Sequence, residues 1–454
     1  MKRLVQPGPA WLIAAWLVGL IVLFKPWVHG TDPVGYYSWL RSAVIDGNVD
    51  TTDEYYHYGE DQYHIIFPGP NGYNKNPYAI GSAVLWSPFY LTAHFASAIL
   101  GLPTDGYAPL YVIAASLGSA IYALIGLWLA YRIASEFFGK RVALWATIGI
   151  WWSTPLLFYM YSHPIMSHAN DAFVNALFVY VWHRTRPAPR ARDWLLRGAT
   201  LGLATLVRAQ NALLAVLLVA EVILSLKQAS IIRPAEQRDS FANTLGTVIK
   251  SAALFGIAAA MVFSLQLWVW RQTYGTWLPG NPYSVYPDNT FDFTSPHFFD
   301  LLLSSARGLF IWSPIVALAI AGLTAPLWRR DRTLCLGLIL AWLAQVYLVG
   351  SWSQWSGGAA FGQRFMINGT VIYIIGLAGL LAYLQSKVTW EGIGTAIAAL
   401  IAWNLLLLAQ YIVELIPRAG PVDLGQMVIN QFRVIGIVAA QLGHLIAARL
   451  GQWR

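Results

Sequence analysis

Runs of 18 or more nearly uncharged residues recur along this 454-residue chain, and each is long enough to cross a bilayer as a helix. So many runs cannot share one water-soluble core, so the bilayer becomes the solvent that decides the fold. Only structures that satisfy their own backbone hydrogen bonds survive there, and runs of this length select helices over strands. Composition agrees: 57% of residues are hydrophobic, 11% are charged and the mean hydropathy is +0.52, values that exclude an ordinary soluble domain. The first run, residues 10 to 28, follows Met1-Lys2-Arg3. It lacks a small-residue cleavage site, so it is expected to be a retained anchor and not a removed signal. The single Cys335 lies inside an apolar run; it excludes an intrachain disulfide and reads as a small buried hydrophobe.

A net charge of +8 would suggest nucleic acid for a soluble chain. Here the basic residues gather between apolar runs, where lysine and arginine mark cytoplasmic loops, and no nucleic acid partner is expected. Lys140-Arg141, the five arginines from Arg184 to Arg197, Lys227 to Lys250 and Arg329-Arg330-Asp331-Arg332 are assigned to that side. Residues 108–133 then run inward, 141–160 outward, 166–183 inward, 249–270 outward and 308–327 inward. Residues 333–350 run outward, 366–386 inward and 391–413 outward. Residues 78–101 would begin and end outside, which suits a juxtamembrane position better than a crossing. Residues 195–226 would make one helix of roughly 48 Å, too long for a single span, so a break is expected at Val207-Arg208-Ala209-Gln210-Asn211. Residues 428–449 fit either a last span or an interfacial helix. The expected fold class is an all-α polytopic membrane protein, a bundle of about 11 to 12 transmembrane helices. It forms one domain over residues 1–454, with residues 29–107 as a long first extracytoplasmic loop carrying juxtamembrane helices.

The part of that loop from His29 to Asn76 holds seven of the 21 carboxylates, namely Asp32, Asp46, Asp50, Asp53, Glu54, Glu60 and Asp61. The orientation brings to the same face Ser162 to Asp171, the Arg208 turn, Trp277 to Tyr283, Arg307 to Phe310, Trp352 to Gly358 and Phe361 to Phe365. One-sided clustering is what a surface catalytic cavity requires, whereas a transporter tends to carry ionisable groups near the bilayer midplane. Asp32, just past the first helix, is the candidate general base for an incoming hydroxyl; its bland reading is a helix-capping aspartate before Pro33. The remaining acids of the loop read as solvated or acceptor-side residues. Lys75, Arg208 and Arg364, each in a Gly-, Pro- or Asn-containing bend, are candidates to hold a phosphate; singly, each could be a snorkelling anchor. Tyr36, Tyr37, His163, His168, Asp171, Tyr283, Arg307, Trp352 and Trp355 are candidate lining of a substrate or acceptor cavity, and the aromatic ones are equally at home in an interfacial belt. His163, His168 and Asp171, with Asp53, Glu54, His57 or His64, could gather a divalent cation. No spacing among them is diagnostic of metal ligation, so no metal ligand is assigned.

At these residues the chain resembles the GT-C superfamily of polytopic glycosyltransferases, which includes protein O-mannosyltransferases and lipid A aminoarabinose transferases. It is most like their uncharacterised bacterial members. The likeness rests on Asp32 with Tyr36 and Tyr37, Asn74-Lys75-Asn76-Pro77-Tyr78 leading to Leu85-Trp86-Ser87-Pro88-Phe89, and Leu201 to Arg208. It continues through Arg307-Gly308-Leu309-Phe310-Ile311-Trp312-Ser313-Pro314 and Trp355-Ser356-Gly357-Gly358 to Phe361-Gly362-Gln363-Arg364-Phe365. The resemblance implies a donor of the polyprenyl-phosphate-sugar type, Asp32 at the position of the catalytic acid and Lys75 at that of a lysine contacting the lipid phosphate. It also implies a bacterial plasma membrane location with the active site facing the extracytoplasmic side, and an acceptor hydroxyl on a protein, glycan or lipid. Two features depart from the pattern: Pro33 follows Asp32 where protein mannosyltransferases carry an acidic pair, and no ligand set matches the metal used by some relatives. The rival readings are a transporter or flippase of lipid-linked sugars or other amphipathic anions, and a non-catalytic assembly subunit.

Overall fold

The structure of the chain is a computed structural model that describes residue 8, residues 10–232 and residues 239–451, with side chains outside 225–245 and up to residue 441. Met1-Lys2-Arg3 and the side chains of Lys227, Arg233, Arg238, His444 and Arg449 lie outside what it describes.

The chain opens with α1 (Ala10–Leu23), which stops short of Lys25-Pro26, and α2 (Thr31–Arg41) and α3 (Thr52–His57) follow in the first loop. After α4 (Gly81–Leu100) come α5 (Pro109–Phe138), α6 (Lys140–Trp152), α7 (Leu156–Tyr161), α8 (Ser167–Thr185), α9 (Ala191–Val207) and α10 (Val216–Ile232). The second half contains α11 (Asp239–Thr273), α12 (Phe298–Leu303), α13 (Leu309–Trp312), α14 (Pro314–Gly322), α15 (Ala325–Trp328) and α16 (Arg332–Gly350). It ends with α17 (Thr370–Leu384), α18 (Trp390–Ile412) and α19 (Leu424–Gly451). Among the described residues the only β-type pairings are two isolated bridges. Among the described residues six helical stretches are long and apolar enough to cross a membrane: 81–100, 109–138, 246–273, 332–350, 364–384 and 390–412. Three shorter apolar ones, 10–23, 209–224 and 314–328, accompany them. The protein is an all-α integral membrane protein.

The break expected after Val207 is present: Arg208 is extended (φ −152°, ψ 124°) between α9 and a 3₁₀ turn, Ala209–Ala215, that leads into α10. Two runs expected as single helices are divided. Residues 141–160 form α6 and α7, separated at Ser153-Thr154-Pro155, and residues 308–327 form α13, α14 and α15, separated before Pro314 and Pro326. Proline supplies no backbone donor and drives its predecessor out of the helical region, which hydropathy alone does not register.

The course of α4 follows from its contacts. It begins where Gly81 lies against the end of α9, so close that a Cβ there would sit 2.4 Å from the Leu206–Val207 backbone. It then runs antiparallel to the first turns of α5, with Trp86 Nε1 donating to Ser119 Oγ (2.8 Å) and His94 meeting the Tyr111 hydroxyl (2.8 Å). Ser119 also donates to the carbonyl of Pro164, in the turn before α8. Long enough to span, α4 thus lies against the end of α9 that leads to Arg208 and along the first turns of α5.

Helix direction sorts the charges. The helices α6, α9 and α16 start at Lys140-Arg141, Arg190 to Arg192 and Arg332, and lead to His163, Arg208 and Trp352 respectively; α8 runs from Ser167 to Arg184. At the basic end Glu136 binds both His183 (3.0 Å) and Arg184 (2.9 Å), and Arg186 pairs with Asp331, tying α5, α8 and the start of α16 together. Mid-bundle, α14 and α17 approach through glycine: a Cβ on Gly376 would lie 2.2 Å from the Ala319 carbonyl, and one on Gly322 would lie 2.0 Å from that of Gly376. Small residues allow such backbone approach where lipid supplies no hydrophobic drive between helices. Gly376→Val is expected to lower the thermal midpoint of the purified protein, an overpacking cost of about 1–3 kcal/mol or more. Gly436→Ala, where nothing lies within 4 Å, should leave it unchanged in the same thermal-shift measurement.

Candidate active site

Gly30, in a left-handed conformation (φ 89°), turns the chain from α1 into α2, and Asp32 occupies the first turn of α2. A carboxylate there faces the positive end of the helix dipole. One of its oxygens accepts from the Tyr78 hydroxyl and the other from Arg364 Nη1, each at 2.5 Å. Burial pushes its pKa up, but the Arg364 charge, the Tyr78 hydrogen bond and the more distant Arg208 charge outweigh it and hold the carboxyl below its ordinary 3.8. Asp32 is thus an anion at neutral pH, with 27% of its side chain exposed. Burial also raises the Tyr78 hydroxyl well above its ordinary value, which keeps it a donor.

Arg364 reaches this position from a loop rich in left-handed glycines, Gly357, Gly358 and Gly362. That loop is clamped from behind by Arg307. Fully buried and itself left-handed (φ 81°), Arg307 donates to the carbonyls of Ala360 (2.5 Å), Pro417 (2.8 Å) and Gly420 (3.4 Å) and stacks on Trp312. Its expected place in the substrate cavity is therefore corrected. Each of its three guanidinium nitrogens donates to a carbonyl, and it holds the loops on which Arg364 and Arg418 sit.

Asp32 and Arg364 line a cavity of about 910 Å³ with Tyr36, Tyr78, His163, His168, Arg208, Tyr283 and Trp352. Arg208 enters from the break between α9 and the 3₁₀ turn. Its Nη1 donates to Ser167 Oγ (3.1 Å), its Nη2 donates to Gln210 (3.3 Å), and its Nε lies 3.4 Å from Asp171. Ser167 in turn donates to the Tyr36 hydroxyl (3.0 Å). His163, in the turn before α8, is pushed by burial down to about 4 and is neutral at pH 7; its Nδ1 is buried with no hydrogen-bond partner.

Five residues assigned to the site by sequence are found elsewhere. Tyr37 is fully buried and donates to the Gly106 carbonyl (2.8 Å), anchoring the first loop. Asp171 lies behind the cavity wall, accepting from Asn175 and Asn211 while it braces Arg208. Trp355 stacks on His297 outside the cavity. Arg307 is the clamp described above. Lys75 is half-buried outside the lining, its backbone held by Phe67 and Tyr274, and no described residue pairs with its ammonium. Arg364 does line the cavity, where its charge answers Asp32; Arg208 and Arg418 are the other guanidinium groups of the lining. Two loop acids expected to be solvated are buried: Glu54, pushed up to about 7 by burial although Arg41 lies 3.2 Å away, and Glu60, which lines the cavity and accepts from Thr31 (2.9 Å). Lys25, Tyr78, Glu60 and Arg418 line the cavity and were not assigned from the sequence. Among the described residues no three His, Cys, Asp or Glu side chains converge as metal ligands.

Residues 112–236 match the model of the dolichyl-phosphate-mannose-protein mannosyltransferase family, a segment that includes His163, His168, Asp171 and Arg208 but not Asp32. No curated protein matches the chain. Among solved structures, ArnT from Cupriavidus metallidurans bound to undecaprenyl phosphate superposes with a TM-score of 0.52 at 14% identity, over 95% of this chain and 71% of that one. Its apo form gives 0.50 at 14%, over 96% and 76%. The fold is the one seen in ArnT, and the resemblance read in the sequence holds at the level of the fold. Replacing Arg307 by alanine would leave three carbonyls without their donor. A thermal-shift series should show a loss equivalent to about 2–4 kcal/mol, with Arg307→Lys recovering only part of it.

Proposed function

We propose that this protein transfers a sugar from a polyprenyl-phosphate-linked donor to an acceptor hydroxyl, with inversion, at the extracytoplasmic face of a bacterial plasma membrane. The observation that carries the reading is Asp32, a carboxylate kept ionised by Arg364 and Tyr78 at the wall of a cavity that also holds Arg208. The orientation is supported by the basic residues gathered at the opposite helix ends, and the donor class by the fold shared with a protein solved bound to undecaprenyl phosphate.

In this reaction the acceptor oxygen forms its bond to the anomeric carbon while the bond from that carbon to the phosphate oxygen breaks, its electron pair leaving with the polyprenyl phosphate. The hydroxyl proton passes to Asp32. A carboxylate with a lowered pKa is a weak base, but the hydroxyl becomes acidic only as its oxygen bonds to carbon, so a base that is always ionised suffices. The leaving phosphate is already a stable anion and needs charge stabilisation more than a proton. Arg208 is the group proposed for it, its Nη atoms offering the fork that suits phosphate oxygens. Lys75 remains a proposed contact for the same phosphate, a role that requires the 67–78 segment to move toward the cavity. Glu221, the acid that a transporter reading would use, is tied to Trp182 (2.8 Å) and Arg197 (3.4 Å).

Asp32→Asn is expected to abolish transfer from a radiolabelled polyprenyl-phosphate sugar in proteoliposomes while donor-lipid binding persists; near-normal transfer by this variant would sink the assignment. The acid limb of kcat/KM should lie below pH 3.8 in the wild type. In Arg364→Gln burial acts on Asp32 without its main counterweight, so the limb should move above that value. A pH–rate profile of the two proteins measures the difference.

A further inference from the structure

At the end of the bundle opposite Asp32 the basic residues fall into two groups. In the first, each cation has an acid: Arg184 pairs with Glu136, Arg186 with Asp331, Arg192 with Asp193 and Arg197 with Glu221. In the second, around the turn from α5 to α6, Lys140, Arg141, Arg330 and Lys387 are exposed and pair with no carboxylate among the described residues, the exposed Glu391 nearby included. Contacts draw these four together. Arg330 donates to the carbonyl of Phe137 and lies 5.1 Å from the Phe138 ring, which sets it beside Lys140. Phe138 in turn meets α17, where a Cβ on Gly379 would lie 3.4 Å from its ring. Arg141 stacks on Trp390 at the start of α18 (4.1 Å), and just before Trp390 Lys387 donates to the Tyr383 hydroxyl (2.5 Å). Between them the left-handed Gly139 has nothing within 4 Å of where a Cβ would stand, so the ground among the cations is open.

Four like charges without acids repel one another, and an anion held among them relieves that repulsion. Position decides which anion. The apolar stretches 109–138, 314–328, 364–384 and 390–412 all end at this patch, which puts the cations at headgroup depth. Trp328 and Tyr383, 41% and 50% exposed, stand among them with Trp390, and these residue types favour that depth. A zwitterionic headgroup would bring its own ammonium against the four cations, whereas a net-negative one would not. We propose that this patch is a binding site for an anionic phospholipid of the leaflet at that end, its phosphate seated among Lys140, Arg141 and Arg330 by charge-assisted contacts. A lipid so held ties the α5–α6 turn to the α17–α18 turn, which no ion pair among the described residues does. The site is remote from Asp32 and stands independently of the glycosyl-transfer reading.

Native mass spectrometry of the full chain, titrated in detergent with phosphatidylglycerol or with phosphatidylcholine of the same acyl chains, tests the proposal. Phosphatidylglycerol is expected to bind the more tightly. Lys140→Gln combined with Arg141→Gln should weaken it about tenfold, the effect of losing two cations at an anionic headgroup. Arg184→Gln combined with Arg192→Gln removes the same charge from the acid-paired group and should leave the affinity unchanged. The pair Arg330→Gln and Lys387→Gln, checked for a monodisperse size-exclusion profile, serves if the first variant misfolds. Equal weakening by both groups of substitutions would reduce the effect to the general charge of that end and overturn the site, as would equal affinity for phosphatidylcholine. Competition by soluble glycerol phosphate at the concentration of the lipid would assign the patch to a free phosphate and overturn the lipid. Sugar transfer is not the quantity read, so a failure of the Asp32 assignment leaves this outcome untouched.

Discussion

The ion pair between Asp32 and Arg364 joins positions 332 residues apart and sets the geometry of everything around it. It fastens the first loop to the loop after α16, and those two segments form facing walls of the cavity. With 15% and 27% of the two side chains exposed, neither charge is fully hydrated. Removing one partner would leave the other half-buried and unanswered, the costly case for an ion pair. The pair also determines the chemistry available. It keeps Asp32 ionised and gives Arg364 a counter-charge, and it leaves Lys25, Arg208 and Arg418 as the other cations of the cavity wall.

Support for this pair is layered. Asp32 is fixed by α2, whose buried face packs on α4 through Trp39 and its hydrogen bond to the Tyr78 carbonyl (2.9 Å), so the same segment that orients α2 delivers the Tyr78 hydroxyl to Asp32. Arg364 is fixed from the other direction by Arg307, which spends its donors on three carbonyls and none on substrate. Arg208 is held by the buried Asp171, itself satisfied by two asparagines. Asp32, Arg364 and Arg208 are thus each held in place by a buried polar neighbour. In a membrane protein such partners are confined to the bundle interior, because lipid cannot solvate them.

How much of this was legible in the sequence depended on what makes a residue conspicuous. A charge beside a glycine, proline or asparagine bend in an apolar chain stands out, which is why Asp32, Arg208 and Arg364, all of which line the cavity, were singled out and why the break at Arg208 was placed correctly. The same signal misled for Arg307, since a cation in a bend can cap carbonyls as readily as face a substrate, and no single position distinguishes the two. Tyr37 and Asp171 failed for a related reason: they share a helix and a face of the membrane with cavity residues but point into the packing. Lys25 was invisible because a lysine ending a first span reads as an ordinary interfacial anchor. The helix breaks at Pro155, Pro314 and Pro326 were carried by the sequence itself, and hydropathy averaged over a span concealed them. The pairing of Asp32 with Arg364 had no local trace at all.

The division of cations carries the mechanism furthest. The proposed transfer breaks the bond from an anomeric carbon to a phosphate oxygen, and the negative charge that grows on that phosphate lies in a poorly screened medium. A cation set apart from the Asp32–Arg364 pair would answer that charge without drawing the base away from the acceptor hydroxyl. Arg208, backed by Asp171, is the group proposed for it. Asp32 is balanced by Arg364 while it is ionised; once it has taken the proton that balance is gone, and the Arg364 charge stands unanswered just as the phosphate leaves.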